Sequence, residues 1–158
     1  MLALLPLLLA AQPDVPREAS SYEHIGEVIA TARVCDAFGY ALDRQGLADW
    51  AAASRDALVA RDASLTRDEA QLQIERHVIN TFTRGYRMYW EQASRVGRAA
   101  DEFIDAEYRY LHLQGKACER LAQSDEAGRF LTPPENKPGA SEIVTRVRDE
   151  YRRIRLDR

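Results

Sequence analysis

Apolar side chains recur at helical spacing from residue 66 to residue 96, and this pattern predicts one long amphipathic helix. The apolar positions fall within an arc of about 120° when successive residues are placed about 100° apart. Thr66 and Glu69 have the spacing of a capping box, and Gly97 favours an end after Val96. We therefore expect the other segments to pack against this helix. Its apolar positions are Leu72, Ile79, Phe82, Tyr86, Tyr89, Trp90, Ala93 and Val96.

Three other segments show the same periodicity and predict three further helices. The first covers residues 21–44, and Gly46 just after it is a natural stop for a helix. The second is a shorter, alanine-rich helix over residues 47–62, which is anchored by Trp50. The fourth covers residues 98–123. No stretch of the chain has a convincing strand pattern. The predicted fold class is all-α, a helical bundle of three long helices plus one short helix with a C-terminal helical extension.

The chain changes character after the fourth helix. Residues 131–139 hold three prolines and a glycine, which a helix cannot cross. Residues 124–140 are therefore predicted to be a linker between the bundle of residues 20–123 and a basic amphipathic helix over residues 141–158. This last helix either docks onto an acidic partner or a membrane surface, folds onto the bundle, or remains a solvated tail. The candidate contact residues are Arg148, Arg152 and Arg155, together with Tyr108, which lies away from the apolar stripe of the fourth helix.

The N-terminus has the features of a secretory signal peptide. Residues 2–9 are nearly all leucine, and two alanines follow them, although no lysine or arginine precedes the apolar run. The run is shorter than the roughly 20 residues of a membrane-spanning helix. We expect a signal peptide over residues 1–11, cleaved near Ala10–Gln12, and an extended leader over residues 12–19. This predicts a periplasmic or secreted protein, and the alternative is a retained apolar segment.

The two cysteines agree with export. Cys35 and Cys118 are the only cysteines, and each lies on the apolar stripe of its predicted helix. Two thiols in an oxidising compartment usually pair, so we expect a disulfide between the first and fourth helices. The alternative is two buried free thiols.

Charge and motifs exclude several classes of function. The chain of 158 residues has a net charge of −3, which argues against a nucleic-acid-binding protein. The three histidines have no zinc-helix spacing, and there is no Cys-x-x-Cys, phosphate-binding loop or Gly-x-Ser-x-Gly. The sequence therefore predicts a protein that is not an enzyme, with no catalytic residue, no bound metal and no cofactor.

Three acidic residues stand on, or at the edge of, the apolar stripes. Asp36, Glu75 and Glu107 occupy these positions in the first, third and fourth helices. A buried carboxylate needs a partner, so each either pairs with an arginine, lies exposed, or joins the others in a cluster that binds a cation or small polar ligand.

Two functions follow from these patterns. The first is an exported, non-enzymatic binding or accessory module for a protein partner in the bacterial envelope. The alternative is a helical bundle that binds a metal or small ligand through inward-facing carboxylates. Small size, the disulfide and the absence of catalytic motifs favour the first.

Overall fold

The fold is all-α, as predicted, with a minor two-stranded sheet. The computed structural model describes residues 19–62, 64–95 and 100–156, and their side chains apart from those of 88–95, 100–106, 155 and 156. The predicted signal peptide and most of the leader lie outside these residues. Within them, no helix is long and apolar enough to cross a membrane. The helices are α1 (Tyr22–Ala37), α2 (Arg44–Arg61), α3 (Arg67–Arg95), α4 (Ala100–Ala122) and α5 (Ala140–Leu156).

Helices α1 and α3 form the centre of the bundle. Each contacts the four other helices, and the most extensive contact lies between the two. Helix α1 is buried on several sides, because small residues between its larger apolar ones let its neighbours approach closely. The sequence predicted α3 as the central helix, and the structure shows that α1 shares this role. The buried residues of α1 are Ile25, Gly26, Val28, Ala30, Ala32, Val34, Cys35 and Ala37.

The capping box of α3 is confirmed, but the predicted apolar stripe is shifted. The Thr66 N–H donates to Glu69 Oε2 at 2.8 Å, and the Glu69 N–H donates to Thr66 Oγ1 at 3.3 Å. Leu72, which was placed on the stripe, is 61% exposed. The buried residues instead follow a strict spacing of four, and α3 continues through Gly85 without a break. They are Ala70, Ile74, Val78, Phe82 and Tyr86.

Helix α1 is shorter than predicted and ends in a Schellman motif around Gly39. The Gly39 N–H donates to the Asp36 carbonyl at 3.0 Å, and the Tyr40 N–H donates to the Cys35 carbonyl at 3.1 Å. Gly39 has a φ of +89°, which side-chain-bearing residues rarely adopt. Asp43 then caps α2, so Gly46 lies in the first turn of α2 and does not end the first helix. With 16 residues in α1 and 18 in α2, the predicted order of lengths is reversed.

Replacing Gly39 with alanine is expected to lower the free energy of unfolding by about 1–2 kcal/mol, the usual cost of a left-handed backbone for an L-residue. An added Cβ would also lie 2.8 Å from Cδ of Pro138. Gly139→Ala is the control, because no atom lies within 4 Å of its added Cβ and its φ is not positive. Denaturant unfolding measures both variants. Equal stabilities for them would contradict this account of the turn.

The stretch over residues 124–140, predicted to be a linker, contains ordered structure that enters the core. A 3₁₀ turn, Gly128–Phe130, leads into strand β2 (Leu131–Thr132), which pairs antiparallel with β1 (Ala41–Leu42). Phe130 is 3% exposed, and its ring centroid lies 6.5 Å from that of Trp50. Strands of two residues are too short for an alternating pattern, which is why the sequence showed none.

Helix α5 packs on the bundle against α1 and α3. Its apolar face is buried through Ile143, Val147 and Ile154. The Tyr151 ring stacks on Tyr86 of α3, with centroids 4.2 Å apart. The structure therefore shows the C-terminal helix folded onto the bundle, which is one of the arrangements predicted from the sequence.

Candidate functional site

The outward face of α4 combines exposed apolar groups with positive charge. Residues four apart lie on the same face of a helix, and the opposite face of α4 is buried through Tyr110 and Cys118. The exposed residues between 107 and 120 carry three positive charges, and the partly exposed Glu119 on the same face lowers the formal charge to +2, on a chain of net −3. We call it the α4 surface; its members are Tyr108, Arg109, His112, Leu113, Lys116 and Arg120.

Two large side chains of the α4 surface project into solvent. Tyr108 is 70% exposed and Leu113 is 64% exposed. The Tyr108 ring stacks on the ring of His112 with a centroid distance of 6.3 Å. Tyr108 was predicted to lie away from the apolar stripe of the fourth helix, and its exposure confirms this; His112 is exposed as well. Exposed aromatic residues of this kind are enriched where proteins bind partners.

The cations of the α4 surface differ in their contacts. No ion pair joins Arg109 or Arg120 to another residue of the described chain. Lys116 donates to Glu119 Oε2 at 2.8 Å, and the Lys137 Nζ lies 3.7 Å from the other oxygen of Glu119. Both arginines are therefore available to an acidic group from outside.

A depression beside the α4 surface, which we call the α4 pocket, has a volume of about 240 Å³. Its apolar wall comes from the end of α1, from α4, and from the start of α5. Gly115 adds depth, because it places no side chain between the helix and the Phe38 ring. The lining residues are Phe38, Tyr40, Leu111, His112, Gly115, Lys116, Glu119, Lys137, Pro138 and Ile143.

The electrostatics of the α4 pocket are set by Glu119 and the two lysines. The hydrogen bond from Lys116, its charge and that of Lys137 hold the pKa of Glu119 below its usual range, so this carboxylate stays ionised at neutral pH. Burial, reinforced by the charge of Glu119, raises the pKa of Tyr40, so its phenol stays neutral. One ionised carboxylate among two lysines leaves the rim net positive.

The three stripe carboxylates have different surroundings. Asp36 pairs with Arg44, while Glu75 is exposed and accepts from Gln71 at 3.0 Å. Glu107 is half-buried on α4. Within the described ranges, no group of three or more histidine, cysteine or acidic residues is arranged to hold a metal ion. Asp36 is therefore held by an arginine and Glu75 lies in solvent, which are two of the alternatives to an inward-facing cluster.

Arg148 and Arg152 of α5 contact residues of their own helix. Arg152 lies 3.4 Å from Asp149, and Arg148 lies 3.5 Å from the Thr145 hydroxyl. Burial raises the pKa of Tyr86, and the charges of Arg148 and Arg152 oppose that shift. The side chain of Arg155 lies outside the described residues. Because the apolar face of α5 is buried, this helix cannot lay that face on a membrane while it is docked.

Tyr108 was predicted from the sequence, but the basic residues around it were not. Arg109, Lys116 and Arg120 could have been found by plotting the polar face of the fourth helix, where they outnumber the one acid, Glu119. The α4 pocket could not have been found, because residues far apart in the chain line it. Comparison of the chain with protein-family models, curated proteins and solved structures gave no match.

Proposed function

We propose that this protein is an exported, non-enzymatic binding or accessory module for a protein partner in the bacterial envelope. The observation that carries the proposal is the α4 surface, where Tyr108 and Leu113 are exposed next to arginines that have no ion-pair partner in the described chain. Tyrosine and arginine are enriched among the residues that dominate binding energy at protein interfaces, and here they stand side by side.

Export is supported by two independent features. The leucine-rich N-terminus has the pattern of a signal peptide. The Cys35–Cys118 disulfide is typical of oxidising compartments such as the periplasm. A periplasmic or secreted location would bring the α4 surface into contact with other envelope proteins.

Site-specific photo-crosslinking in cells tests the function. A photoreactive residue in place of Leu113 is expected to give a covalent adduct of discrete mass with one protein, which mass spectrometry identifies. The control replaces Ala53, which is exposed on α2. The identified protein should then bind the purified chain. Adducts of the same yield and composition at both positions, or none at position 113, would contradict the proposal.

A further inference from the structure

We infer that the α4 surface binds an acidic segment of its partner and that the α4 pocket receives one apolar side chain of that segment. This inference rests on the proposed function and specifies the chemistry of the partner. Two properties of the site carry it: its charge, which is opposite to that of the chain as a whole, and the concave apolar wall beside it.

The charge selects an acidic partner. Arg109 and Arg120 stand at the two ends of the α4 surface, about eleven residues or three helical turns apart, with Lys116 between them. Complementary charges steer encounter and suppress binding of partners with the same charge. An extended or helical segment that carries several carboxylates can contact both arginines, whereas a single small anion cannot reach both ends.

The size of the α4 pocket selects a side chain rather than a free ligand. Its volume of about 240 Å³ is below the roughly 300–1,000 Å³ of cavities that enclose small-molecule ligands. Phe38, Leu111, Pro138 and Ile143 give it an apolar wall, while His112 and Lys116 belong to both the pocket and the α4 surface. An apolar anchor that enters the pocket therefore places the flanking acids of its own segment over the cations.

The same geometry favours a protein segment over a lipid bilayer. A bilayer presents a broad plane, and only Tyr108 and Leu113 are large exposed apolar residues on the α4 surface. The pocket is recessed between α4, α1 and α5, where a plane cannot follow it. A side chain on a flexible segment can enter it.

Titration of the full-length chain with a synthetic acidic peptide tests this chemistry. The probe is a peptide of glutamate and aspartate residues with one central leucine. Changes in the NMR amide shifts of the protein report its binding. We expect shifts confined to α4 and the pocket lining, binding that weakens as salt is added, and much weaker binding of the peptide with serine in place of leucine. Equal binding of both peptides, or shifts located elsewhere, would overturn the inference.

Two variants separate the charge from the pocket. Arg109→Glu is expected to weaken peptide binding about three- to ten-fold, and Arg76→Glu, which makes the same charge change at an exposed position of α3, should leave it unchanged. Gly115→Leu fills the pocket and should weaken binding about ten-fold or more, whereas Ala53→Leu on α2 should have no effect. Thermal unfolding confirms that each variant is folded. Equal affinities for each variant and its control would overturn the inference.

The remaining outcomes show whether the inferred chemistry of the partner fails, the proposed binding function fails, or both fail. Binding to vesicles of phosphatidylglycerol without binding to the acidic peptide would replace the protein segment with a lipid surface. A specific adduct at position 113 with a partner that has no acidic segment would refute the chemistry and leave the proposed function standing. Failure of both the crosslink and the peptide would refute both.

Discussion

Replacing Cys35 and Cys118 with alanine is expected to lower the free energy of unfolding by about 4–5 kcal/mol. The bond joins α1 to α4 across 83 residues, and in the chain-entropy model a closed loop of this length removes about that much free energy from the unfolded state. For a chain of this size the melting temperature should fall by roughly 10–20 °C. Calorimetry and denaturant unfolding of the oxidised protein and the double variant measure the loss.

Reductant provides the matched control for the disulfide. Both cysteines are fully buried, so reductant should act slowly on the native protein and quickly once denaturant opens it. The double alanine variant should unfold identically with and without reductant. A double variant as stable as the oxidised protein would show that the bond does not constrain the unfolded chain in this way.

Replacing Gly26 with alanine is expected to lower the free energy of unfolding by about 1–3 kcal/mol, the usual cost of overpacking a close contact. An added Cβ would lie 2.5 Å from the His77 Cβ and 3.1 Å from backbone atoms of Ile74 and Val78. None of these atoms is the end of a flexible side chain, so α1 and α3 would have to separate, and this pair forms the most extensive helix–helix contact of the described chain. This cost exceeds the roughly 0.5–1 kcal/mol that alanine gains over glycine inside a helix.

Gly85→Ala is the matched control for this contact. Gly85 also lies inside a helix, but the nearest atom to its added Cβ is Nε2 of Gln114, at an ordinary distance of 3.7 Å. The helix-propensity gain should therefore appear, and the variant should be more stable by about 0.5–1 kcal/mol. Denaturant unfolding of both variants measures the two effects. If both substitutions raised stability, α1 and α3 would not approach as closely at Gly26 as the structure indicates.

Much of the helical architecture follows from local patterns. The capping box at Thr66 and Glu69, the anchor at Trp50 and the positions of Cys35 and Cys118 on facing stripes were all predicted and are confirmed. These features depend on residues close in sequence or on the period of a helix, so they can be found without knowledge of the fold. The errors arose where a distant segment decides the outcome.

The end of α1 is an example of an error that a distant segment causes. The apolar pattern continues to Leu42, so the sequence extended the first helix past the glycine that ends it. Gly39 takes its left-handed conformation, the chain turns past Pro138, and Leu42 pairs with Leu131. Only the packed structure brings residues 131–138 to this place.

For the candidate site too, one part can be predicted from the sequence and another part depends on the packed structure. Helical spacing places Tyr108, Arg109 and Leu113 on one face of α4, because the period of a helix fixes which residues share a face. Whether that face is exposed, and whether a pocket lies beside it, depends on where α1 and α5 pack. The sequence by itself determined that helices dominate the chain and that Cys35 and Cys118 lie on helical stripes where they can pair. The tertiary structure decided that Asp36 pairs with Arg44 and that Phe38, Gly115 and Ile143 meet in one cavity, because contacts between distant segments are set by packing and not by local period.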